Sequence, residues 1–94
     1  MLQLPTELTQ TTASACWRDL GQALRAEPSA VVVDAAALGR FDSAALAVLL
    51  ALRREALKMN KTFVVQALPQ RLADLAGLYG ISELLPAQAG SPVK

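Results

Sequence analysis

The chain has 94 residues, 53% of them hydrophobic and 18% charged, and a net charge of +1. That length supports one domain with one modest core. Scattered Lys and Arg with few aromatic side chains argue against a nucleic-acid surface, while the lack of histidine and the single cysteine, Cys16, exclude histidine acid–base catalysis, a Cys-His dyad, the usual zinc sites and an internal disulfide.

Leu2 and Leu4 alternate with Gln3 before Pro5, the pattern of a short half-buried strand. The cluster from Thr9 to Ser14 offers several N-caps. Beyond it Ala13, Cys16 or Trp17, Leu20 and Leu24 recur at three- and four-residue steps, which predicts a first amphipathic helix ended by Pro28. Cys16 falls on the apolar side and reads as a small core residue. Val31, Val32 and Val33 form a β-branched run that predicts a buried strand stopped by Asp34.

From Ala44 to Lys58 no Gly or Pro interrupts a series of helix formers, so a second helix is predicted to about Met59, with Asn60 as its stop and Ser43 as its N-cap. Thr62 to Ala67 reads as a third strand. Pro69 suits a first helical turn, and Leu72, Leu75, Ala76 and Tyr79 supply one apolar face of a third helix closed by Gly80. Ile81, Leu84 and Leu85 are expected to dock as a last apolar turn. The domain is expected to span 1–85, and 86–94, rich in Pro, Ala, Gly and Ser, to form a flexible tail. Strands alternating with helices predict an α/β domain with a mostly parallel sheet.

At roughly 100° per residue, Ala45, Leu49, Leu52 and Ala56, flanked by Leu46 and Met59, make the core stripe of the second helix. The solvent side carries Arg54, Glu55 and Lys58, with Arg53 at its margin. Toward the N-terminus the same side consists of Ala44, Ala47 and Ala51, with Val48 and Leu50 at its edges, where Lys or Glu would be usual. Such a strip fits either cover by another part of this chain or contact with a protein partner. Ser43 beside it is either a cap and nothing more, or a hydroxyl open to a partner or a kinase. Asp34 and Asp42 could meet across their loop as a catalytic pair, but no metal-ligand spacing or partner base accompanies them, and loop aspartates commonly bond to nearby amides. No Gly-rich phosphate loop follows a strand, so no nucleotide or other cofactor is expected. The longest apolar run, Ala44 to Leu52, is too short to cross a bilayer, and no basic segment leads into a hydrophobic one near Met1; a cytoplasmic protein without membrane insertion is expected.

Val-Val-Val-Asp at 31–34, Leu38, and Phe-Asp-Ser-Ala-Ala-Leu at 41–46 before an aliphatic helix resemble the signature of STAS domains, the fold of anti-sigma factor antagonists. Trp17, Val-Val-Gln-Ala-Leu-Pro at 64–69 and Leu-Ala-Gly-Leu-Tyr-Gly-Ile at 75–81 resemble the MlaB-like branch of that family. The resemblance implies a small sheet of three to four mostly parallel strands with three to four helices. It also implies a non-catalytic subunit that binds an MlaF-like ATPase of an ABC transporter moving phospholipids to maintain outer-membrane lipid asymmetry, peripheral to the inner membrane. The implied contact is Asp42, Ser43, Ala44, Ala47, Leu50, Ala51 and Arg54. The alternative within the family is an anti-sigma factor antagonist released from a kinase partner when Ser43 is phosphorylated. Two features depart from the family pattern: Ala45 stands at its usual glycine, and the chain is expected to start after the family's first strand, which would leave a sheet edge open to homodimer pairing.

Overall fold

The computed structural model describes residues 1–81 and Leu84. In chain order the elements are β1 (Leu2–Gln3), β2 (Glu7–Leu8), α1 (Ala13–Ala26), β3 (Ala30–Asp34), β4 (Arg40–Phe41), α2 (Ala44–Lys58), β5 (Thr62–Gln66) and α3 (Gln70–Leu78). β1, β3 and β5 form one parallel sheet in the order β1-β3-β5, and β2 pairs with β4, also parallel, as a separate two-stranded unit. Among the described residues the sheet edges are therefore β1 and β5.

Register sets the core. Val31 pairs with Phe63, and Val33 with Val65 on one side and Leu2 on the other, so one sheet face is an unbroken apolar row. Val31, Val33 and Val65 are among the largest fully buried side chains. On the other face Val32 and Val64 are half-buried and Asp34 pairs in register with Gln3 and Gln66. The triple valine is thus a two-faced strand whose middle residue only partly leaves solvent, because successive side chains point to opposite sides. From α1, Cys16 and Leu24 enter the core, with Ala13, Trp17 and Leu20 packed against it. From α2, Ala45, Leu49, Leu52 and Ala56 are fully buried.

The helix ends follow local backbone chemistry. Asn60 adopts φ 60°, and the Lys61 N–H donates to Ala56 O at 2.9 Å while the Asn60 N–H donates to Leu57 O at 3.0 Å. Gly80 does the same for α3 at φ 74°, with the Ile81 N–H donating to Ala76 O at 2.9 Å and the Gly80 N–H to Gly77 O at 3.1 Å. Both are left-handed closures in which a residue with little steric penalty turns the chain and satisfies orphan carbonyls. At α1 a lysine takes part: Lys61 Nζ donates to Leu24 O at 2.9 Å and Glu27 O at 2.6 Å.

Three expectations need correction. Tyr79 is 58% exposed, not part of the α3 core face, because it is the C-cap from which the chain turns away; Leu72 and Ala76 are the buried pair. Leu84 is 38% exposed and does not close an apolar turn, although Ile81 packs against the core. Thr12 ends the loop before α1 without a side-chain cap bond; its Oγ1 instead accepts the Thr9 N–H at 2.9 Å. Leu85 and the expected tail at 86–94 lie outside the described residues.

Candidate partner-binding surface

β4 delivers the chain to α2 through Asp42 and Ser43. The Ala44 N–H donates to Asp42 Oδ1 at 2.8 Å, and the Ala45 N–H donates to Asp42 O at 3.0 Å. The second carboxylate oxygen, Oδ2, accepts the Gln10 N–H at 3.1 Å from the loop before α1. Asp42 therefore serves the exposed amide at the start of α2 and places negative charge at the positive end of the helix.

The expected capping role of Ser43 is not observed. Ser43 has helical backbone angles, φ −63° and ψ −16°, and makes no side-chain cap bond. A capping side chain works from an extended backbone that aims its oxygen at the N–H groups two or three residues on, and a helical backbone removes that aim. Ser43 contributes its carbonyl instead, which accepts the Leu46 N–H at 3.1 Å and the Ala47 N–H at 3.3 Å. Its side chain is exposed, and among the described residues no hydrogen bond engages the hydroxyl.

Along α2, Ala47 and Arg54 are exposed, and Ala44, Leu50 and Ala51 are half-buried. Val48, expected at the edge of this face, is 4% exposed. It stands three residues after Ala45 and four before Leu52, so it extends the core stripe. Leu50 packs partly against the core. The open strip is consequently narrower than the sequence pattern suggests, with Ala47 and Arg54 at its centre.

A groove of about 420 Å³, not expected from the sequence, is lined by Phe41, Arg71, Asp74, Leu75 and Leu78. Phe41 is next in the chain to Asp42, which puts the groove beside the start of α2. The Arg71 guanidinium lies 5.4 Å from the centroid of the Phe41 ring, in range for cation–π attraction. Leu78 is 78% exposed. The available signal was the spacing of Arg71, Leu75 and Leu78, which places them on one side of α3.

Asp34 and Asp42 are each engaged locally. Asp34 Oδ1 accepts the Ala36 N–H at 2.9 Å, a short turn closed by the side chain, and Asp42 binds two amides. Among the described residues no group of three His, Cys, Asp or Glu side chains is placed to hold a metal ion. Cys16 is buried, and burial first, then the nearby Asp19 charge, pushes its thiol pKa above the ordinary value of 9.0. No described helix is long and apolar enough to cross a membrane.

A small α/β domain with parallel strands, a short strand leading into an aliphatic helix through Asp-Ser, and an exposed serine at that junction has the architecture of a STAS domain. A family model described as the MlaB STAS domain matches residues 1–86, and the chain belongs to that family. No curated protein matches the chain.

Proposed function

We propose that this chain is a non-catalytic STAS subunit that binds the ATPase of an ABC transporter, a transporter that moves phospholipids and maintains outer-membrane lipid asymmetry. It would act in the cytoplasm, held at the inner membrane through the transporter. The observation that carries the reading is the open surface at the start of α2, where an exposed Ser43 hydroxyl without a hydrogen bond among the described residues is close in the helix to exposed Ala47. Small side chains allow a partner's backbone or helix to approach closely, while Asp42, Ser43 and Arg54 supply polar contacts around Ala44, Ala47, Leu50 and Ala51. In this role the subunit contributes shape and burial, and the chemistry of ATP hydrolysis stays with the ATPase.

The test is co-purification of the chain with an MlaF-like ATPase. Ser43→Arg and Ala47→Glu, made separately, should each abolish the complex while the helical circular dichroism of the free chain is retained. Unchanged assembly in both variants rejects this surface as the contact.

The exposed hydroxyl also favours a second reading, an anti-sigma factor antagonist switched by phosphorylation of Ser43. A phosphate there would add about −1.5 to −2 charge beside Asp42 while standing at the favourable end of the helix dipole. The fold would survive and the partner would leave. Incubation with the cognate kinase followed by mass analysis should place phosphate on Ser43; an unmodified chain that binds the ATPase removes this reading.

A further inference from the structure

A second groove, of about 400 Å³, lies between the segment from Gln3 to Glu7 and the first turns of α1. Its volume is in the range of about 300–1,000 Å³ common to ligand sites. Buried Cys16 and half-buried Leu20 give it an apolar floor, and Pro5 and Ala15 continue the apolar lining. Glu7 and Asp19 line it with exposed carboxylates, and no Lys or Arg does. Among the described residues neither carboxylate is ion-paired: the two ion pairs there use Glu27 and Glu55. Arg40 is the register partner of Glu7 in the β2–β4 ladder but forms no ion pair with it. The Asp19 charge is felt at the floor, where it adds to burial in holding the Cys16 proton. None of these residues belongs to the α2 surface.

We propose that this groove docks a short segment of a partner polypeptide that carries Lys or Arg among aliphatic side chains. The aliphatic part covers Cys16 and Leu20, and the cation sits between Glu7 and Asp19. Charge selects the occupant: an apolar trough bordered by two carboxylates with no ion-pair partner among the described residues favours a basic segment over an acidic or neutral one. The long stem of Lys or Arg suits the floor as its head suits the border. The site is independent of contact through α2, so one domain could hold two segments at once.

The test is an amide-shift titration of the isotope-labelled chain with a capped peptide, Leu-Lys-Leu-Arg-Leu, and its counterpart with both basic residues replaced by Glu. The basic peptide should move the amides of Ala15, Cys16, Asp19 and Leu20 saturably, and the acidic one should not. The double variant Glu7→Gln, Asp19→Asn should weaken binding about tenfold, as expected for the loss of two exposed ion pairs. Its remaining spectrum and its co-purification with the ATPase should be unchanged. No shifts at these amides, equal shifts with both peptides, or undiminished binding by the double variant would overturn the proposal. The same amides moving when the chain alone is concentrated would assign the groove to a second copy and overturn it too.

Discussion

Asp42 and Gln10 are joined across 32 residues of sequence by a 3.1 Å hydrogen bond from the Gln10 N–H to Asp42 Oδ2. The same carboxylate holds the first amide of α2, so one side chain locks the entrance of α1 to the entrance of α2. Replacement of Asp42 by Ala should cost about 1–2 kcal/mol, the range of a lost cap. Ser43→Ala, which removes no structural bond seen among the described residues, should stay within about 0.5 kcal/mol. Urea denaturation of the two variants checks the contrast, and equal losses would return the capping role to Ser43.

Lys61 is half-buried and points its ammonium at the C-terminal carbonyls of α1. Its replacement by Met keeps the aliphatic stem but leaves Leu24 O and Glu27 O without this donor. A loss of about 1–3 kcal/mol is expected from charged hydrogen bonds of this kind, read as a lower urea midpoint with unchanged slope. Lys61→Arg should recover part of it.

Ala67, just past β5, adopts φ 57°. An L-residue with a Cβ in this conformation carries a penalty of roughly 1–2 kcal/mol, which glycine avoids. Set against the greater freedom glycine gives the unfolded chain, Ala67→Gly should stabilise the domain by about 0.5–1 kcal/mol. Thermal denaturation should show a higher midpoint.

Cys16 has its thiol pKa raised by burial and then by Asp19. The folded thiol keeps its proton at a pH where the unfolded thiol has lost it, so the unfolded state binds fewer protons and stability falls as pH rises. The fall begins near the unfolded thiol's ordinary value of 9.0 and continues upward through the raised folded value. Denaturation midpoints of the parent and Cys16→Ala, compared from about pH 7 to about pH 10, should keep a constant offset at neutral pH and change relative to each other as the unfolded thiol begins to ionise. Parallel curves would show that the thiol is not held in its neutral form.

The three helices are legible in the sequence because each is long enough to display a period, and the two five-residue strands because each is a bounded apolar run. Val31 to Val33 is a β-branched run and Thr62 to Val65 is β-branched but for Phe63, and α1 and α2 repeat apolar side chains every three or four residues. The two-residue strands β2 and β4 have no period to read. Glu7-Leu8 and Arg40-Phe41 become strands only by finding each other across the chain. For the same reason Gln10 could not be foreseen as a partner of Asp42. The open position of Ala47 followed from helical spacing, but Asp42 and Ser43 are both good capping residue types, and only the backbone angles at Ser43 separate them. Tyr79 continues the apolar spacing of α3 in the sequence but stands one residue past the helix, at the turn that Gly80 makes, and so is exposed.

The junction before α2 hangs from a ladder of only two residue pairs, β2 with β4, as short as the β1–β3 pairing but separate from the three-stranded sheet. So few bonds give this corner its own small opening energy, well below that of the interior. Buried Leu8 and the Asp42 bonds to the Gln10 and Ala44 amides hold it in place, and it is expected to open before the paired Val33 and Val65. A protein that grips the Ser43 corner would therefore slow amide exchange at Arg40 far more than at Val33, and bound and free populations would be told apart there first.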